Sequence, residues 1–121
     1  MPLVRTTATL LAAVLLAGCG GAGPTVRARD QRVDIELDDF LIRPQNVRAQ
    51  AGRLTFAVSN QGRLGHNFRL RDEGREVVEV TTLLPGESAT RTATLRPGSY
   101  KMVCTVANHE QLGMTGRLAV R

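Results

Sequence analysis

Cys104-Thr105-Val106-Ala107-Asn108-His109-Glu110-Gln111-Leu112-Gly113-Met114 is the stretch whose reading decides this chain. It gathers a thiol, an imidazole and a thioether on one short loop. The chain has only 2 histidines, and the other is His66, in Gly65-His66-Asn67-Phe68. Each side chain alone has an ordinary reading. A single buried cysteine is usually a small hydrophobe, and a methionine fills cores. A lone histidine is more often structural than a ligand. The four together form a donor set in which neither histidine is spare.

One thiolate, two imidazoles and one thioether are the ligands of a mononuclear blue-copper centre. Thiolate is soft and suits Cu(I), whereas imidazole suits both oxidation states. Zinc uses Cys and His but has no use for Met, and copper outranks zinc in affinity for such donors. The expectation is one type 1 copper ion held by His66, Cys104 and His109 in a plane, with Met114 weakly axial. That arrangement favours neither oxidation state strongly, so little has to move when an electron arrives. Gly113 lets the chain bend so that Met114 faces back.

Around the loop, the sequence alternates with the period of a β-strand. Val33, Ile35 and Leu37 are interleaved with Asp34 and Glu36, Asp38-Asp39 breaks the run, and Phe40 and Ile42 lead to Pro44. Strands are predicted over Leu54 to Asn60, His66 to Leu70, Val77 to Val80, Ala89 to Leu95, Ser99 to Cys104 and Gly116 to Arg121. The turns Gln61-Gly62, Leu84-Pro85-Gly86 and Arg96-Pro97-Gly98 divide them. Phe68 and Leu70 share a face with His66, and Met102 shares one with Cys104. No segment holds a helical period. Short strands at this spacing imply an all-β, antiparallel sandwich.

The N-terminus reads differently. Residues 1–18 carry one basic residue, Arg5, and an apolar run from Ala8 to Ala17. That run is too short to span a bilayer but suits a signal-peptide core. It ends in Leu16-Ala17-Gly18-Cys19, which resembles a bacterial lipobox, and the resemblance implies a lipid-modified Cys19 as the first mature residue. This also settles the cysteine arithmetic. Cys19 takes lipid, and Cys104 stays alone in an oxidising compartment, a liability unless a metal holds the thiolate. Gly20 to Gln31 follows, with Gly20, Gly21, Gly23 and Pro24. About twelve flexible residues reach roughly 20 Å, so residues 19–32 are expected to link the lipid to a domain at 33–121.

Arg5 is the only charged residue of 1–18, so its removal lowers the formal net charge from +5 to +4. Lys101 is the only lysine, and the arginines alternate with acids without forming a run. This pattern reads as a solvated surface, and export argues against nucleic acid. The 103 residues after Gly18 make one domain large enough for a single core.

Residues 33 to 121 resemble the cupredoxins, the small electron carriers of the plastocyanin, azurin and rusticyanin type. Tyr100, four residues before Cys104, matches the tyrosine on that family's penultimate strand. The four-residue gap from Cys104 to His109 resembles azurin, that from His109 to Met114 resembles plastocyanin, and the combination resembles rusticyanin. The resemblance implies a Greek-key β-sandwich or barrel. It also implies that Asn67 pins the two ligand segments together by hydrogen bonds. The Gly65 carbonyl would then lie near the metal opposite Met114. One departure is Ala107-Asn108, where many relatives carry Pro-Gly, and Asn108 is expected to supply the left-handed backbone there.

Three functional classes follow. An electron carrier is the favoured one: a monomer, lipid-anchored on the extracytoplasmic or periplasmic side, exchanging electrons with a cytochrome or copper oxidoreductase. A copper chaperone or storage protein is the alternative, although such proteins more often show Met/His-rich or multi-Cys sites. An enzyme is disfavoured, because a second copper centre needs further histidines. A Cys104–His109 nucleophilic pair lacks an orienting partner or oxyanion hole. The loops should also leave one edge of His109 in solvent, ringed by Leu64, Ala107 and Leu112, with Arg63 beside them to steer an acidic partner.

Overall fold

Alternation of apolar and polar residues becomes ten strands in the computed structural model, which describes residues 23–121. The expected signal segment 1–18, Cys19 and the first linker residues lie outside the described residues. The strands are β1 (Thr25–Arg27), β2 (Arg32–Asp38), β3 (Leu41–Arg43), β4 (Asn46–Ala49), β5 (Gly52–Asn60), β6 (His66–Asp72), β7 (Arg75–Leu83), β8 (Ser88–Leu95), β9 (Gly98–Val103) and β10 (Thr115–Val120). One sheet runs β1-β4-β10-β9-β6-β7 and the other β3-β2-β5-β8.

The core follows from the pleat. In β2 every second residue is buried, and Val33, Ile35 and Leu37 lie opposite Phe56, Val58 and Asn60 of β5. Across the other sheet, Leu70 faces both Met102 and Val78, and Leu118 faces Tyr100 and Val47. Phe56 and Phe68, one from each sheet, meet at 6.2 Å between ring centroids. Full burial of such side chains stabilises by roughly 1.5–3 kcal/mol each.

Three features differ from the sequence expectation. The sandwich is not wholly antiparallel, since β1–β4, β4–β10 and β2–β5 pair in parallel. Alternation reports which face of a strand is buried and not which way its neighbour runs. Thr25–Arg27, inside the stretch read as linker, is β1, held to β4 in register from Thr25 and Asn46. All three of its residues are exposed, so no apolar periodicity could announce it. The short strand expected at Val77 to Val80 extends over Arg75–Leu83, its polar ends carried by pairing with β6.

The register of β6 against β7 matters for the site. His66 opposes Leu83 of β7, but Phe68 opposes Val80, so the register shifts between them. As a result His66, Asn67 and Phe68 are all buried, against strict alternation. Such irregularities re-aim side chains beside functional sites.

Candidate metal centre

Cys104 follows directly on β9. The Tyr100 hydroxyl anchors that strand by donating to the Arg96 carbonyl at 2.7 Å. The following loop is folded by its own backbone. His109 N–H donates to Val106 O (3.0 Å), Leu112 N–H to Asn108 O (3.1 Å) and Gly113 N–H to Glu110 O (3.0 Å). The Met114 N–H returns to His109 O (3.0 Å), and the Cys104 N–H reaches Met114 O (3.1 Å). Gly113 has φ +97°, the bend expected of it. Ala107, and not Asn108, adopts the left-handed backbone, at φ +45°. The hydrogen bond closing Val106 to His109 sets that conformation, and Ala, with its small side chain, accepts it at a modest cost.

His66 opens β6, and a buried asparagine shapes the loop before it. Asn60 is fully buried. Its amide donates to Leu64 O and Leu83 O, both at 2.8 Å, and its Oδ1 accepts from Gly62 N–H at 2.9 Å. Asn67 joins the two ligand segments: its Nδ2 donates to Thr105 Oγ1 (2.9 Å) and its Oδ1 accepts from Thr105 N–H (2.7 Å). On the loop's far side, Glu110 accepts from Lys101 at 2.6 Å and lies 3.6 Å from Arg71. These cations hold its carboxyl below the usual glutamate range, Lys101 contributing most.

The three strong donors converge. His66 Nδ1 and His109 Nδ1 are 3.2 Å apart, and Cys104 Sγ lies 3.9 Å from the first and 3.6 Å from the second. Imidazole and thiolate bind a borderline metal at about 2.0 and about 2.3 Å. Edges of 3.2 to 3.9 Å between donor atoms are short enough for one shared ion, which His66, Cys104 and His109 would hold together. His66 and Cys104 are fully buried and His109 is 6% exposed. Burial holds the His109 imidazole below its ordinary pKa, with nearby His66 adding to the effect, so its neutral, ligating form is favoured. In the deprotonated forms that ligate, the three atoms turn lone pairs toward one another, and a cation among them would attract all three. The donor set therefore fits a soft or borderline metal such as copper. Met114 is also fully buried, at the end of the same loop.

Two neighbours of the centre were not singled out in the sequence. Asp39 Oδ1 lies 3.0 Å from His66 Nε2. Phe40 stands edge-on to His109, with centroids 5.1 Å apart and planes at 86°. In the sequence Asp38-Asp39-Phe40 reads only as the end of a strand, and nothing there signals a long-range contact. Phe40 also explains why so little of His109 reaches solvent, where an open edge was expected. Leu64, at 44% exposure, and Leu112, at 53%, do stand out into solvent, as does Ala107.

Comparison with known proteins agrees with this architecture. Among curated proteins, the iron uptake system component EfeO of Yersinia pestis is 29% identical over 89 residues, which are 74% of this chain. The aligned region is 24% of EfeO, so the chain matches about a quarter of that relative's length. Among solved structures, sodium-dithionite-reduced auracyanin from Roseiflexus castenholzii superposes with a TM-score of 0.70 at 19% identity, covering 78% of this chain and 99% of that one. Auracyanin A, a "blue" copper protein from the green thermophilic photosynthetic bacterium Chloroflexus aurantiacus, gives a TM-score of 0.63 at 21% identity, covering 74% and 99%. At these identities the structures speak for the fold. The family described as Cupredoxin-like domain matches residues 8–120. With a matching strand architecture and a His66–Cys104–His109 cluster where two loops meet at one end of the strands, this chain belongs to the cupredoxin-like family.

Proposed function

We propose that this chain is a blue-copper electron carrier, tethered by lipid at Cys19 to the extracytoplasmic face of a membrane and acting as a monomer. The convergence of His66 Nδ1, His109 Nδ1 and Cys104 Sγ within one buried triangle carries the reading. His66, Cys104 and His109 would hold the ion and Met114 would be its axial ligand. The Gly65 carbonyl is the proposed contact on the opposite side. Bound there, copper supplies one-electron chemistry between Cu(II) and Cu(I). The protein's part is rigidity: both ligand segments are hydrogen-bonded to one another and to the sandwich, so the donors stay in place as charge changes. Electrons would pass to and from a cytochrome or copper oxidoreductase through the Phe40–His109 end, where exposed Leu64 and Leu112 mark an apolar surface.

A second reading has one observation behind it. The likeness to an iron uptake component favours a copper-binding protein that carries or stores metal and does not cycle electrons. Optical spectra of the copper-loaded full chain, with Cys104→Ser beside it, test the first reading. A blue thiolate-to-copper band that vanishes in the variant and bleaches reversibly with a one-electron reductant is expected. A Cys104→Ser protein with the same band would overturn the ligand assignment, and a band that cannot be cycled would favour the carrier of metal.

A further inference from the structure

The turn between β2 and β3 touches both histidines, and one oxygen atom does most of the work. Asp39 Oδ1 accepts from His66 Nε2 at 3.0 Å, from Arg63 N–H at 3.0 Å and from Leu64 N–H at 3.1 Å. Three donors from the 63–66 segment thus meet on a single carboxylate oxygen. The turn that presents it is itself held. Asp39 N–H donates to Asp38 Oδ1 at 2.8 Å, and Arg43 pairs with Asp38 at 3.2 Å. Phe40 takes the left-handed φ of +64° and lies against His109. Gly62 is required beside it, because a Cβ there would fall 2.4 Å from Asp39 Oδ1 and 3.0 Å from His66 Nε2. Nothing larger than hydrogen fits between the loop and this pair.

The chemistry follows from the donor inventory. An ionised carboxylate only accepts, so His66 Nε2 must carry the hydrogen and Nδ1 is left with its lone pair. That lone pair points toward Cys104 Sγ and His109 Nδ1. A carboxylate behind a ligating imidazole fixes the ring's tautomer and orientation and raises its basicity. Among the described residues, Asp39 is the only acidic side chain bonded to either histidine.

We propose that Asp39 is a positioning residue for the metal centre: through its bond to His66 Nε2 it presets the Nδ1-ligating tautomer, and its negative charge favours Cu(II) over Cu(I). This rests on the copper reading above. The consequence is a reduction potential lower than the same four ligands would otherwise have.

The test compares wild type, Asp39→Asn and Asp39→Glu as copper-loaded full chains. Asn keeps an oxygen for all three donors and loses only the charge, whereas Glu keeps the charge. We expect all three to be blue. Asp39→Asn should lose at least tenfold in Cu(II) affinity relative to Cu(I), the lower end for loss of such partners. That is a rise in potential of about 59 mV or more for a one-electron couple. Asp39→Glu should lie closer to wild type. If Asp39→Asn keeps its blue band with relative affinity within about threefold of wild type, about 28 mV, the proposal is wrong. Should Asp39→Asn fail to fold, Asp39→Ser is the neutral variant, since a hydroxyl also accepts the backbone N–H groups, and the same two outcomes decide. A wild-type protein without any blue band would overturn the copper reading itself, a separate result.

Discussion

Asn67 and Thr105 exchange two hydrogen bonds, at 2.9 and 2.7 Å, although 38 residues separate them. Each sits directly after a metal-site residue, His66 and Cys104. The pair therefore sets the distance between the two segments that supply the ligands, before any metal binds.

Removing it tests that role. Asn67→Ala leaves the Thr105 N–H and hydroxyl without their partner in a site where Asn67 is 6% exposed. An unmade buried hydrogen bond costs about 1–3 kcal/mol. Urea unfolding of the metal-free protein should show a loss in that range. A loss below about 0.5 kcal/mol would mean that solvent replaces the pair.

Met114 is buried at the end of the ligand loop, and an axial thioether is the weakest of the proposed ligands. It should tune potential more than occupancy. Met114→Leu removes a donor that helps Cu(II), so the potential rises. Met114→Gln offers a harder oxygen, so it falls. Each tenfold change in relative affinity reads as about 59 mV in voltammetry. Three identical potentials would remove Met114 from the ligand set.

Leu112, 53% exposed on the His109 loop, belongs to the apolar surface proposed for docking. Weak electron-transfer encounters bury small interfaces, under about 1,200 Å². Leu112→Glu should leave the visible spectrum unchanged and lower the bimolecular rate with the physiological partner roughly tenfold, as for one central contact worth about 1.4 kcal/mol. Wild-type rates with every accepted partner would place docking elsewhere.

Glu110 carries a pH dependence whose sign follows from its lowered pKa. In the unfolded chain it titrates near 4.5, and in the fold Lys101 holds it lower. Its contribution to stability is complete above the unfolded value and fades as pH falls from there through the folded one. Denaturant midpoints of the metal-free protein should therefore drop on acidification below pH 4.5, and Glu110→Gln should flatten part of that slope. Because the group is partly exposed, high salt should weaken the effect. An unchanged slope in the variant would show that other carboxylates account for it.

Cys19 should be acylated after cleavage behind Gly18. Mass spectrometry of the native N-terminus is expected to find diacylglycerol-modified cysteine, and Cys19→Ala should accumulate as unprocessed precursor. An unmodified N-terminal residue on the native protein would refute the anchor.

The sequence by itself determined the donor chemistry and the class of fold. Cys104, His109 and Met114 fall within one stretch of eleven residues, and His66 was the only other imidazole available; the backbone bonds from Met114 N–H to His109 O and from Cys104 N–H to Met114 O are what close that stretch into a loop. The strands around them could be read because a half-buried strand writes its buried face into every second residue. What the tertiary structure alone decided is non-local. Parallel pairing of β2 with β5 and of β4 with β1 and β10 leaves no local trace, because alternation looks the same for either direction. The same holds for Asn60, Phe40 and Asp39. Asp39 lies 27 residues from His66, and in the sequence it is one more acid at a strand end. Only the packing of the β2–β3 turn against the 62–66 loop, with Gly62 admitting the close approach, turns that carboxylate toward a ligand.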